Sequence, residues 1–156
     1  MIKYNRLVFV CTGNTCRSPM AEAIYKNLNQ EGDIKVYSRG LVVLFGEPIN
    51  PKAETILIKH SLDHNNHISK GLKESDIDEN TLILTMTADH KRNIMERHPN
   101  AKAVYTIKEY AGENGDVIDP YGGTLIDYEE CYIELARLVK KTIYKLSEDY
   151  EEEDLL

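Results

Sequence analysis

Cys11 and Arg17 bracket five residues in Cys11-Thr12-Gly13-Asn14-Thr15-Cys16-Arg17-Ser18-Pro19, straight after the apolar run Leu7-Val8-Phe9-Val10. A short polar loop between a buried strand and a helix gathers backbone N–H groups and the positive helix end around one concavity, which suits a phosphate-sized anion. Arg17 adds planar, bidentate donors for phosphoryl oxygens. In that electropositive setting Cys11 favours the thiolate, the form that acts as a nucleophile. A thiolate beneath a bound phosphoryl group, ringed by donors, is arranged for in-line transfer to sulfur. Thr12, Gly13, Asn14, Thr15, Cys16, Arg17 and Ser18 are therefore the candidate phosphate-binding positions. Asn14 tolerates the left-handed backbone that so tight a loop needs, and a Ser18 hydroxyl can donate to the thiolate.

Phosphoryl transfer also expels a leaving atom that needs a proton. Asp119, followed by Pro120, is the candidate general acid, and the same carboxylate can later deprotonate the water that hydrolyses the thiophosphate. Pro120 restricts Asp119 to extended backbone, which holds the carboxyl on a defined trajectory. Tyr121 is expected at the pocket mouth, stacking on a flat leaving group.

The elements around these residues follow from periodicity. Residues 6–10 read as a strand buried on both faces, and Ser18 and Pro19 suit the N-cap and first position of the next helix. That helix is expected to turn Met20, Ala21, Ala23, Ile24 and Leu28 inward. A second strand is expected over 34–38, ended by Gly40, and Asn50-Pro51 starts a second helix. Residues 81–86 form another apolar strand, Thr87 caps a helix to about residue 97, and 103–106 form a short fourth strand. The stretch 111–123, with four glycines and Pro120, reads as loop. Thr124 and Asp127 resemble a capping box before a helix whose stripe holds Tyr128, Cys131, Leu135, Leu138, Val139 and Thr142. Strands alternating with helices imply a doubly wound α/β sheet with helices on both faces, and ligands there bind beyond the carboxyl ends of the strands.

With 156 residues, 19 basic and 26 acidic, the net charge is −7. One domain over 1–147 is expected, with an acidic, solvated tail over 148–156. No basic face is evident for nucleic acid or an anionic membrane. Three cysteines do not make a disulfide framework, and the four apolar residues after Arg6 are too few for a signal or a membrane span. A cytoplasmic monomer is the expectation. His60, His64 and His67 sit at spacings of four and three, but no cysteine or carboxylate cluster joins them, so no metal site is expected. The chemistry needs no cofactor, because Arg17 and the backbone supply the charge stabilisation.

The Cys–five residues–Arg–Ser pattern at the N-terminus, with Asp119-Pro120 more than a hundred residues later, resembles the signature of the low-molecular-weight phosphotyrosine phosphatases, and the resemblance extends to about Leu146. Thr15, Thr85-Met86-Thr87, Lys108-Glu109-Tyr110 and Asp119-Pro120-Tyr121-Gly122-Gly123 look most like the bacterial branch that includes protein-arginine phosphatases. The resemblance implies a four-stranded parallel sheet flanked by helices, and a phosphocysteine intermediate on Cys11. It implies phosphorylated protein substrates and inorganic phosphate as product. It also implies a protective Cys11–Cys16 bond on oxidation, and a hydrogen-bond network in which Asn14, Ser18, Ser38 and His67 hold the loop open. Arg39 stands where the family commonly has Ala. Phosphotyrosine-selective relatives commonly carry Ile at the position of Thr15 and a second aromatic after Tyr121, where this chain has Gly122. Phosphoarginine is thus the preferred substrate and phosphotyrosine the alternative. A related arsenate reductase would carry extra redox cysteines near its far end, and none lies between Cys16 and Cys131. A non-catalytic phosphoresidue-binding module would have lost the acid or the nucleophile, and both are present.

Overall fold

In the computed structural model, strand β1 (Arg6–Cys11) is buried from Leu7 onward because both of its faces are covered. Side chains alternate across a strand, and the two resulting sets enter different cores. Leu7, Phe9 and Cys11 pack with Met20, Ile24, Leu57, Leu135 and Leu138, whereas Val8 and Val10 pack with Ile83, Ile94 and Val104. Residues 4–30 and 32–154 are described. The ends of the expected domain and tail, residues 1–3 and 155–156, lie outside them.

The chain continues through α1 (Arg17–Leu28), β2 (Lys35–Gly40), α2 (Pro51–Lys59), β3 (Thr81–Thr85), α3 (Ala88–Arg97), β4 (Ala103–Thr106), α4 (Ile107–Tyr110) and α5 (Leu125–Asp154). The four strands are parallel, in the order β2-β1-β3-β4. Winding runs from β1 outward in both directions, so the carboxyl end of β1 is the topological switch point of the sheet. Helices α1, α2 and α5 cover the face carrying Phe9, and α3 covers the face carrying Val8. This is the doubly wound architecture expected.

Several boundaries moved for physical reasons. Ser18 and Pro19 fall inside α1, because Cys16 takes the N-cap position without a side-chain bond and the Ser18 hydroxyl is engaged elsewhere. Pro19 is tolerated there since first-turn N–H groups have no intrahelical acceptor. Leu28 is 49% exposed and the core takes Tyr25 instead. Helix α4 lies in the stretch between the fourth strand and the loop 111–123, for which periodicity predicts no element. Its start is a capping box, with Thr106 Oγ1 accepting from the Glu109 N–H and Glu109 Oε1 accepting from the Thr106 N–H. The acidic stretch from 148, expected to fray, continues α5 to Asp154, because no Gly or Pro between 125 and 154 ends the helix. Among the described residues, no helix is long and apolar enough to cross a membrane.

Candidate active site

The loop from Thr12 to Cys16 leaves β1 at the switch point and closes on the first turn of α1. Asn14 adopts φ 58°, the left-handed region that Asn accepts at low cost. Its buried side chain then ties the loop together. Asn14 Oδ1 accepts from the Lys70 N–H at 2.9 Å, and Asn14 Nδ2 donates to Ser18 Oγ at 2.8 Å. With that acceptor site filled, Ser18 Oγ sits 2.9 Å from Cys11 Sγ. A thiolate can only accept, so the single hydroxyl proton of Ser18 is available to it. Gly40, at the end of β2, is required by contact: a Cβ there would lie 2.9 Å from the Thr12 carbonyl oxygen and 3.0 Å from the Gly13 carbonyl carbon. A side chain at that position would push the loop off the sheet.

Arg17 is nearly fully buried and orders the opposite wall. Its Nη1 donates to the Val117 carbonyl at 2.9 Å, and its Nη2 lies 3.5 Å from Asp119 Oδ2. The Val117 N–H in turn bonds the Met86 carbonyl beyond β3. Asp119 is therefore fixed two residues from a pinned backbone position, not at a free loop tip. Asp119 Oδ1 accepts from the Tyr121 N–H at 3.0 Å, the turn its side chain makes with its own backbone. Arg17 Nε is buried without a partner among the described residues. A buried guanidinium N–H with no acceptor is costly, and an anion in the loop would satisfy it. Cys11, Arg17, Ser18 and Asp119, up to 108 residues apart in the chain, thus meet around one loop.

Residues 6–152 match the model of the low molecular weight phosphotyrosine protein phosphatase family. The chain belongs to that family. The low molecular weight protein-tyrosine-phosphatase PtpB of Staphylococcus haemolyticus is 38% identical over 136 residues, 87% of this chain and 96% of the relative. A protein-arginine-phosphatase of Geobacillus stearothermophilus is 39% identical over 143 residues, 90% and 95% of the two chains. The solved YwlE arginine phosphatase from the same organism superposes with a TM-score of 0.88 at 38% identity, covering 94% of this chain and 96% of that one. A YwlE arginine phosphatase variant with a phosphorylated active-site serine reaches 0.87 at 35% identity, covering 92% and 97%. The chain is a hydrolase of phosphorylated protein side chains.

In this phosphatase the loop network is only partly the one expected. His67 joins it: Nε2 lies 2.7 Å from the Asn14 carbonyl, so the ring donates there and is held neutral, its pKa lowered chiefly by burial. Ser38 does not join it. Its hydroxyl donates to Glu22 Oε1 at 2.6 Å, across to α1. His60 and His64 also have separate tasks, with Glu129 and Glu54 respectively. Among the described residues, no three His, Cys, Asp or Glu side chains could hold a metal ion together.

Thr15 stands on the loop with its hydroxyl 3.8 Å from the place a Gly13 Cβ would occupy, and its carbonyl accepts from the Asn50 N–H ahead of α2. Tyr121 is 77% exposed, beside Gly122 at φ +82°. Asp119, Pro120, Tyr121 and Gly122 line a cavity of about 610 Å³ together with Lys108, Asp127 and Glu134, away from the Thr12–Ser18 loop. Cys131, expected in the core, is buried and its thiol is pushed up to about 12 by that burial. Cys16 is likewise pushed up to about 12, first by burial and then by the charges of Cys11 and Asp119. All three cysteines are free.

Two participants were missed in the sequence. Val117 supplies only a carbonyl, which no residue type announces. His90 lies 2.9 Å from Thr12 Oγ1, 78 residues away in the chain. Its pKa is depressed from 6.5 to about 4, first by burial and then by Arg17. Between those values the unfolded chain binds a proton that the native state refuses, so stability falls as pH drops from 6.5 towards 4. We expect the melting temperature to decline over that window, and to decline less steeply in His90→Gln. Parallel slopes for the two proteins would place the acid sensitivity elsewhere.

Proposed function

We propose that this phosphatase dephosphorylates phosphoarginine side chains of proteins through a phosphocysteine on Cys11. The thiolate, supported by Ser18, attacks phosphorus in line, and the P–N bond to the guanidine breaks as the S–P bond forms. Arg17 and the loop N–H groups bind the equatorial oxygens, where charge accumulates in transfer. Asp119 gives its proton to the departing nitrogen, then takes one from the water that releases inorganic phosphate. Arg17 Nη2, 3.5 Å from Asp119 Oδ2, holds the carboxyl beside the loop in the ionised form that takes the proton from water; the protonated form gives it to the leaving nitrogen.

The observation that carries the substrate assignment is the Thr15 hydroxyl on the loop. A guanidinium bristles with N–H donors and gains from an oxygen acceptor there, whereas an aromatic ring has no use for it. The open Gly122-Gly123 rim agrees with a substrate that brings no ring to stack. The phosphotyrosine reading draws on the exposed Tyr121 and on the tyrosine-phosphatase relatives. We read the enzyme as a cytoplasmic monomer, in keeping with its three free cysteines. On two-electron oxidation by a peroxide we expect Cys16 to pair with Cys11, sparing it from further oxidation.

The test is kcat/KM on matched phosphoarginine and phosphotyrosine peptides. Thr15→Ile is expected to shift the ratio towards phosphotyrosine by about 10–200-fold, the range of a pocket change of one or two groups. An unchanged ratio, or an unsubstituted enzyme already favouring phosphotyrosine, would make phosphotyrosine the substrate.

A further inference from the structure

His90 is the third residue of α3, and its backbone N–H is tied to the N-cap Thr87 Oγ1 at 3.1 Å. The imidazole is therefore carried on a rigid first turn just beyond the carboxyl end of β3. The residue is only 8% exposed. Nδ1 is buried and has no partner among the described residues, while Nε2 lies 2.9 Å from Thr12 Oγ1. Burying an imidazole is unfavourable unless its polar atoms are satisfied, and this one directs its single polar contact at the residue beside the nucleophile. An apolar ring would fill the space without that penalty.

The proton on the ring can be placed by exclusion. An orphan buried N–H is rarer than an under-used acceptor, so the bare nitrogen is Nδ1 and the N–H is Nε2–H. His90 then donates to Thr12 Oγ1, and the hydroxyl of Thr12 keeps its own proton. Thr12 is exposed on the loop, and its carbonyl is held by the N–H groups of Leu41 and Val42, both at 2.9 Å. The β2 exit thus fixes the Thr12 backbone and α3 fixes its side chain.

We propose that His90 is a positioning residue for phosphoryl transfer: its Nε2–H bond fixes the Thr12 side chain so that the hydroxyl proton is presented to the bound phosphoryl group. This rests on the phosphatase reading above and adds a donor to it. His90→Phe removes the bond and keeps a ring of similar size. His90→Gln restores a donor at the position of Nε2 without a titratable ring.

The measurements are kcat and KM on p-nitrophenyl phosphate and the inhibition constant of inorganic phosphate, with melting temperatures taken alongside. His90→Phe is expected to lower kcat/KM and weaken phosphate binding by about 10–100-fold, the scale of a hydrogen bond to a charged group. His90→Gln is expected to stay within about threefold of the unsubstituted enzyme. Thr12→Val is expected to show the same loss as His90→Phe, and the double variant no further loss, as for two groups acting through one bond. Additive losses, or a Gln variant as poor as Phe, would overturn the proposal, as would unchanged phosphate affinity in Thr12→Val. Unchanged phosphate affinity in Thr12→Val overturns the proposal even if the Phe variant does not fold. Turnover by the unsubstituted protein tests the phosphatase reading and the ratios to it test His90, so the two fail separately.

Discussion

Cys11→Ser is expected to abolish turnover while the loop still binds inorganic phosphate. A seryl hydroxyl keeps its proton at neutral pH, and the group beside it, Ser18 Oγ, is another hydroxyl and no base. The expected loss is on the order of 10⁶-fold, the scale seen when a hydrolase loses its nucleophile. Stopped assays with p-nitrophenyl phosphate, run beside phosphate binding by calorimetry, separate chemistry from binding. Substantial residual turnover in the pure variant would end the phosphocysteine mechanism.

Asp119→Asn is expected to slow phosphocysteine formation by roughly 10²–10⁴-fold for a poor leaving group, because the amide cannot donate the proton that the departing atom needs. A p-nitrophenolate leaves with little help, so its loss is expected to be far smaller. The substitution also removes the charge facing Arg17 at 3.5 Å, but that change acts on both substrates alike. The diagnostic quantity is therefore the difference between the two losses. Equal losses would make Asp119 a structural partner of Arg17, with the acid to be sought elsewhere.

Both predictions use residues whose types and spacing were legible in the chain itself. The Cys11–Arg17 loop, Asp119-Pro120 and the apolar runs from 6–10 and 81–86 identify themselves because local chemistry sets them. A nucleophile needs a loop at a strand end, a proline restricts its neighbour, and a strand covered on both faces is apolar throughout. The caps at Asn50 and Thr87 were legible for the same reason, since capping is settled within a few residues. The four-residue α4 was missed although Thr106-Ile107-Lys108-Glu109 carries its capping box. A helix that short has no periodicity to reveal it.

What the sequence by itself determined, then, is the candidate reacting set and the alternation of strands and helices that must carry it. Only the tertiary structure decided how that set is held. Ser18, by type a helix cap, is claimed by Asn14 and Cys11, because the tight turn of the loop brings those side chains within 2.9 Å. Ser38, expected at the loop, turns to Glu22 of α1, and His67 reaches Asn14. His90 meets Thr12 and Val117 meets Arg17 only because parallel strands bring their carboxyl ends together at one edge of the sheet. Those contacts join residues 53, 78 and 100 positions apart. At such separations one-dimensional spacing carries no information about distance, and the sheet register alone brings the partners together.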